Sequence, residues 1–288
     1  MTSPLHDMIS YYRSQYGSMT EALFEAMLAE DKKVALINPF LDEERLLPIY
    51  ALAKKEPELG PYIATLPKDL KPELIDGLLS HYFLDRSSCL APMLLPLAKG
   101  FRVLDMCAAP GGKLLYLLSK KIDKVFFVAN DISKIRARRL RLVLNDYVPK
   151  AFLEANIALS NRDALYFGLK VAHSFDAILL DAPCSSEAHV LKSNRPFVPQ
   201  KSLPRRQYAL LSAAMLAAKT GAYIMYATCS INKDENEGVI KRLLNKKKGA
   251  CSLAPTTSPV GTSGEFGTTI LPHLHGAGPA FFSLIRRH

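Results

Sequence analysis

Residues 101–113 read FRVLDMCAAPGGK: an apolar run closed by an aspartate, then a turn of small residues with two adjacent glycines that opens an amphipathic stretch. Gly111 and Gly112 let the backbone come close to a ligand and leave helix N–H groups free to meet it. The spacing is neither the G-x-G-x-x-G of dinucleotide folds nor the G-x-x-x-x-G-K-[ST] of phosphate loops. Only Lys113 follows the glycines as a cation, so a pyrophosphate fits poorly and a zwitterionic amino-acid group fits better. A plain strand-to-helix turn could carry the same residues.

Outward from this stretch, apolar runs alternate with amphipathic basic segments. The apolar runs predict strands at 101–107, 125–131, 175–181 and 222–227, with a weaker one at 157–159. Helices are expected at about 112–120, 134–146, 204–219 and 234–246. Strand alternating with helix predicts an α/β fold with a doubly wound, mostly parallel sheet. The strands are apolar throughout, as required when helices cover both faces. Residues 254–267 are rich in Pro, Thr, Ser and Gly and read as a loop. Two last strands at 268–271 and 280–285 then predict an antiparallel final hairpin. Residues 1–80 read as a separate helical extension: 19–28 and 41–52 have helical apolar spacing, and Pro39, Pro48, Pro57, Pro61 and Pro67 break the region into short pieces.

Composition narrows the class. The 288 residues are 49% hydrophobic, enough for a sizeable core. No apolar run approaches the roughly 18 residues of a membrane span, and the N-terminus reads as neither a signal nor a transit peptide. The expectation is an intracellular, cytoplasmic protein, with a mitochondrial location left open. Five cysteines, an odd number without a C-x-x-C pair, argue against a disulfide framework, and the seven histidines form no ligand pair at metal spacing. The net charge of +10 is uneven: residues 1–80 carry 8 Lys/Arg against 13 Asp/Glu, and residues 81–288 carry 29 against 14. A basic body points to a polyanionic partner, although solubility charge would look the same.

In open parallel sheets, ligands bind beyond the carboxyl ends of the strands. Polar or reactive residues follow every predicted strand: Cys107-Ala108-Ala109-Pro110-Gly111-Gly112-Lys113, then Asp131, then Asp181-Ala182-Pro183-Cys184, then Thr228-Cys229-Ser230. Asp131 is placed to accept from ribose hydroxyls, or to cap the helix that follows Ser133. Asp163, after the weaker strand, could face an adenine amino group. A lone cysteine is usually an inert buried thiol. Two at neighbouring strand ends beside a ligand turn are better read as chemistry.

These three segments, in this order, resemble the Sun/Nop family of RNA 5-methylcytosine methyltransferases. The likeness runs over residues 81–288 and includes HYFLDRSS at 81–88 and RQYALL at 206–211. The closing LPH at 271–273 and GPAFF at 278–282 is nearest the short members, including the mitochondrial ribosomal-RNA type. The more common Asp-Gly before the aromatic pair is replaced, a departure that bears on the substrate and not on the reaction. The resemblance implies a class I Rossmann-like methyltransferase domain at 81–288 that uses S-adenosyl-L-methionine. It further implies that 107–113 cradle the cofactor's amino-acid end. Asp131 would hold the ribose with Arg136 nearby, Asp163 would face the adenine, and Asp181 would lie near the methyl group. Carbon 5 of cytosine is a poor nucleophile, and a thiolate adding to carbon 6 activates it. In this family the Thr-Cys thiol, here Cys229, attacks, and the Pro-Cys thiol, here Cys184, assists release. DNA cytosine methyltransferases use the Pro-Cys thiol instead. The expected partner is RNA, ribosomal or else transfer RNA, with Lys192, Arg195, Lys201, Arg205 and Arg206 as phosphate contacts. Association with a ribosomal subunit, as an assembly factor without turnover, is the rival from another class.

Overall fold

The computed structural model describes residues 4–29, 32–193 and 195–288. Its centre is a nine-stranded sheet. Five strands run parallel: β5 (Arg102–Asp105), β6 (Phe126–Asn130), β7 (Ile157–Ser160), β8 (Phe175–Asp181) and β9 (Ala218–Thr228). Their spatial order is β7-β6-β5-β8-β9, so the chain leaves β5 toward one edge and returns on its other side. That reversal between β5 and β8 makes a crevice at their carboxyl ends.

The alternation of side chains explains why these runs are apolar throughout. Val103, Phe127, Ala177, Leu179 and Met225 pack into one core. Their neighbours Leu104, Val128, Ile178, Leu180 and Ile224 pack into a second core on the opposite face. Helices α3 (Gly112–Ser119) and α4 (Lys134–Tyr147) contribute to the first core. Helices α5 (Leu165–Lys170), α7 (Leu203–Ala217) and α8 (Glu237–Lys246) contribute to the second. Helix α6 (Glu187–Lys192) lies between β8 and α7 in the chain. No helix among the described residues is long and apolar enough to cross a membrane.

The last strands differ in detail from the expected edge hairpin. β13 (Ala280–Arg287) does pair antiparallel with β12 (Thr268–Ile270), but it also pairs with β9 and with β10 (Cys251–Leu253), which places it inside the sheet. The two-residue β11 (Thr262–Ser263) pairs with β12 within the stretch read as loop.

The expectation of a helical extension over 1–80 needs correction. Helices α1 (Pro4–Tyr16) and α2 (Thr20–Leu28) are present, but a four-stranded antiparallel sheet follows. Its strands are β1 (Lys33–Ile37), β2 (Lys54–Lys55), β3 (Ile63–Thr65) and β4 (His81–Asp85), in the order β2-β3-β1-β4. The β-branched and apolar KVALI of β1 is buried at four of five positions, which helix spacing cannot reveal. Because β4 pairs with β1 along its whole length, residues 81–85 are tied both to this small sheet and to the segment leading to β5.

Candidate active site

The first ligand-facing feature is the turn after β5. The strand delivers Asp105, which is 1% exposed, to the crevice with both carboxylate oxygens lacking a hydrogen-bond partner. Burial, and next the charge of Asp181, push its carboxyl up to about 8, while Lys113 opposes the shift. An orphaned carboxyl at full burial is costly unless a ligand completes it. A cavity of about 200 Å³ opens beside it, lined by Tyr82 and Asp85 of β4 and by Cys107, Gly112, Lys113 and Asp181. A larger hollow of about 760 Å³ shares no residue with this cavity and has no cysteine in its lining.

The two glycines divide their labour. Gly111 has φ of +123°, and a Cβ there would meet Leu140 and Val143 of α4 at 3.1 Å, so its space faces a helix. Gly112 is the one beside the cavity, where a Cβ would meet the Tyr82 ring at 3.0 Å. Cys107 is half-buried, and its thiol is pushed up by desolvation and then by the charges of Asp105 and Asp181.

Asp131, at the end of β6, is engaged through one carboxylate oxygen, and the cap of the following helix is Ser133. Oδ1 accepts from the Ser133 N–H at 2.9 Å, while Oδ2 is buried with no hydrogen bond. Ser133 in turn caps α4 by accepting from Arg136 N. Arg136 Nη1 stands 3.4 Å from Asp131 Oδ2, and its Nη2 donates to the Ala109 carbonyl of the turn. Asp163 is engaged differently: Arg206 Nη2 lies 2.8 Å from each of its oxygens, and Leu165 N donates to Oδ1. This ion pair joins α7 to the end of β7 and commits Arg206, expected among the phosphate contacts, to a carboxylate. Lys192, Arg195, Lys201 and Arg205 are exposed.

The two cysteines converge as their strand ends require. β8 and β9 are paired in register from Ala177↔Tyr223 to Asp181↔Ala227, so the segments that follow them leave side by side. Cys184 Sγ and Cys229 Sγ lie 3.2 Å apart, and Ser186 Oγ is 3.4 Å from the first and 3.2 Å from the second. Cys184 is half-buried and Cys229 open to solvent. Their acidities are split. The hydrogen bond from Cys184 lowers the Cys229 thiol, with help from Ser186 and Lys113 against burial and Asp181. Cys184 is raised by that same bond, then by burial. Lys113 Nζ donates to Asp181 Oδ2 at 2.7 Å; burial alone would lower the ammonium, and Asp181 raises it instead. The arrangement is an open thiol whose proton is held less tightly than usual, a neighbouring thiol whose proton is held more tightly, and a Lys113–Asp181 pair at the cavity wall.

Several groups at the site lie outside those the sequence singles out. Asp105 reads there only as a strand end, yet an acid closing an apolar run is a visible signal. Ser186 adopts a left-handed conformation, with φ of 51° and ψ of 52°, at the turn that brings it to both thiols. Tyr82 and Asp85 line the cavity from β4, a strand whose pairing with β1 the sequence does not disclose.

The chain is similar to known proteins. The family model described as "16S rRNA methyltransferase RsmB/F" matches residues 92–286, more than half of the chain. A mouse protein, 5-cytosine rRNA methyltransferase NSUN4, is 31% identical over 271 residues, covering 80% of this chain and 70% of that protein. Ribosomal RNA small subunit methyltransferase F of Shewanella woodyi is 36% identical over 182 residues, covering 60% of this chain and 37% of that protein. The crystal structure of NSun6 from Pyrococcus horikoshii superposes with a TM-score of 0.79 over 97% of both chains; at 18% identity this is a likeness of fold.

S-adenosylmethionine is the cofactor of such methyltransferases, and the site accommodates it. The orphaned Asp105 oxygens suit an ammonium group, Asp131 Oδ2, which makes no hydrogen bond, suits a hydroxyl, and Gly112 borders the cavity without a side chain to fill it. The chain is therefore an S-adenosylmethionine-dependent methyltransferase and belongs to the RsmB/F family of ribosomal-RNA methyltransferases.

Proposed function

We propose that this chain methylates carbon 5 of a cytosine in ribosomal RNA, with Cys229 as the attacking thiol and Cys184 as its assistant. The carrying observation is the 3.2 Å contact between two thiols of opposite acidity, the lowered one open to solvent. Residues 81–288 form the catalytic domain in this reading, and 1–80 its extension. The names of the mouse and Shewanella relatives favour ribosomal over transfer RNA.

S-adenosylmethionine supplies an electrophilic methyl group. Asp105 and the turn at 107–113 (Cys107, Ala108, Ala109, Pro110, Gly111, Gly112 and Lys113) hold its amino-acid end; Asp131 with Arg136 holds the ribose; Asp163 borders the adenine. The target base leaves its stack and enters beside Asp181. The Cys229 thiolate adds to carbon 6, forming an S–C6 bond and shifting the C5–C6 π electrons toward carbon 5. Asp181, whose Oδ2 is held by Lys113, orients the ring nitrogens through Oδ1. After transfer, the carbon-5 proton leaves to a base, the C5–C6 double bond re-forms and the S–C6 bond breaks. Cys184 supports that step by donating its proton to the departing Cys229 sulfur.

Labelled RNA on a denaturing gel tests the assignment. Cys229→Ala forms no covalent band and no product. Cys184→Ala attacks and transfers, then stalls as an RNA adduct through Cys229. The reverse pattern, adduct absent in Cys184→Ala and kept in Cys229→Ala, assigns attack to the Pro-Cys thiol. No adduct in any variant, with cofactor still bound, supports an RNA-binding assembly factor.

A further inference from the structure

We propose that Glu187 is a positioning residue for the two-thiol site and that Tyr12, from the first helix of the chain, completes its hydrogen-bond set. The inference rests on the reading of Cys229 as nucleophile, and it gives residues 4–16 a part in catalysis.

Glu187 opens α6 and has no exposed surface. Its Oε1 accepts from Tyr12 Oη at 2.5 Å, from Ser185 Oγ at 2.5 Å and from Ser230 Oγ at 2.8 Å; its Oε2 accepts from Ile231 N at 3.3 Å. Four donors aimed at one buried carboxylate hold it as an acceptor and fix each donor in turn. Two of those donors are the chain neighbours of the reactive thiols: Ser185 follows Cys184, and Ser230 follows Cys229. Their hydroxyls also lie 3.0 Å from each other. Glu187 is thus the point where the loop after β8 and the loop after β9 are fastened together, and the sulfur–sulfur distance depends on it.

A second carboxylate braces the other side. Glu235 Oε2 accepts from Ser185 N at 3.0 Å and from Gln207 Nε2 at 2.8 Å, and Gln207 also donates to the Pro183 carbonyl at 2.9 Å. This brace is built from β8, β9 and α7, the sheet and its own helix. The Glu187 brace is not complete within the sheet: its phenol comes from α1. That helix is seated by Tyr16, whose hydroxyl donates to the Ile231 carbonyl at 2.5 Å, and by an apolar cluster in which Met8, Tyr12 and Phe24 meet Leu191 and Ile231. The helix carries an expensive polar contact where an apolar one would have sufficed for docking. The charge of Glu187 also contributes to holding the proton on Cys184.

Tyr12→Phe and Glu187→Gln in the full chain test the proposal. The first removes one hydroxyl and leaves the ring packed; the second keeps the shape and reverses part of the donor pattern. Cys229 is alkylated with iodoacetamide across pH, mapped by mass spectrometry, and single-turnover adduct formation is followed with 5-fluorocytosine RNA. Lys113, Asp181, Cys184 and Ser186, the groups that face Cys229, are unchanged in both variants. Expected are an upward move of the alkylation midpoint toward the ordinary thiol value and an adduct rate at least tenfold slower in Glu187→Gln. Tyr12→Phe should follow with a smaller effect. Cofactor affinity should stay within twofold, so that kcat falls while KM holds. A role confined to stability would lower the unfolding midpoint and leave the alkylation midpoint in place. Midpoint and adduct rate within twofold of wild type in both variants overturn the proposal, as does a parallel loss of cofactor affinity. Absence of the adduct in the wild type overturns the functional reading instead, and the alkylation midpoint still decides the positioning role.

Discussion

Asp105 is the residue whose environment has the most direct consequence in solution. With its carboxyl raised to about 8, the free protein carries it protonated at neutral pH. The folded state then binds this proton more tightly than the unfolded chain, whose aspartates titrate near 4. Stability from this group is therefore complete below that value and disappears as pH rises toward 8. A cationic amine bound beside it reverses the preference. Calorimetric titration of S-adenosylmethionine at pH 7, repeated in buffers of different ionisation enthalpy, should register release of about one proton per cofactor bound. Asp105→Asn should abolish that release and weaken binding at least tenfold. Proton uptake, or no buffer dependence, would remove Asp105 from the cofactor site. This residue was within reach of sequence reasoning, since it closes the strand that FRVLD announces. The hydrogen-bonded surroundings of Asp131 and Asp163 were not, because they depend on which side chains return from α4 and α7.

At the scale of the element, the glycine turn separates two effects that its sequence merges. Reading GG as a close approach to ligand assigns both residues one role. The structure assigns Gly111 a positive φ facing α4, and gives the space beside the cavity to Gly112. Gly111→Ala should cost about 1–2 kcal/mol of stability in urea titrations, because the left-handed backbone strains any side chain and the new Cβ presses on Leu140 and Val143. Cofactor affinity of the folded fraction should change little. Gly112→Val should cost affinity instead, tenfold or more in the folded fraction, with some loss of stability because its Cβ meets the Tyr82 ring at 3.0 Å. Inverted results would exchange the two roles. The parallel strands and the longer helices α3, α4, α7 and α8 were legible to within a few residues, since each buries two faces or one and the apolar period says so; α5 and α6, six residues each, are too short to show a period. The small sheet of 33–85 was not legible either. Its strands are two to five residues long, split by prolines and paired across up to about fifty residues, so no local period marks them.

For the whole molecule, charge decides what the surface can hold. The acidic first eighty residues and the basic remainder are not a uniform coat: four exposed cations, Lys192, Arg195, Lys201 and Arg205, sit on the segment that follows the Cys184 loop. Reversing Lys192, Arg195 and Arg205 to Glu should weaken RNA binding and flatten its salt dependence. The slope of log affinity against log salt should fall by about 0.7 for each single-strand phosphate that is no longer neutralised, with cofactor affinity untouched. An unchanged slope moves the RNA path to the exposed arginines of α4, Arg138, Arg139 and Arg141. Arg206 does not belong with this set, because its partner is Asp163.

The placement of β13 inside the sheet governs how the molecule comes into being. Residues 280–287 are made after β9, β10 and β12, yet they pair with all three and so separate strands made earlier. Until the ribosome has delivered them, β9 has one neighbour and presents an apolar, unpaired edge to the cell, the kind of edge that templates aggregation. A message cut short between β12 and β13 would therefore yield a sticky chain and not a merely shorter enzyme, and quality control would meet it as such.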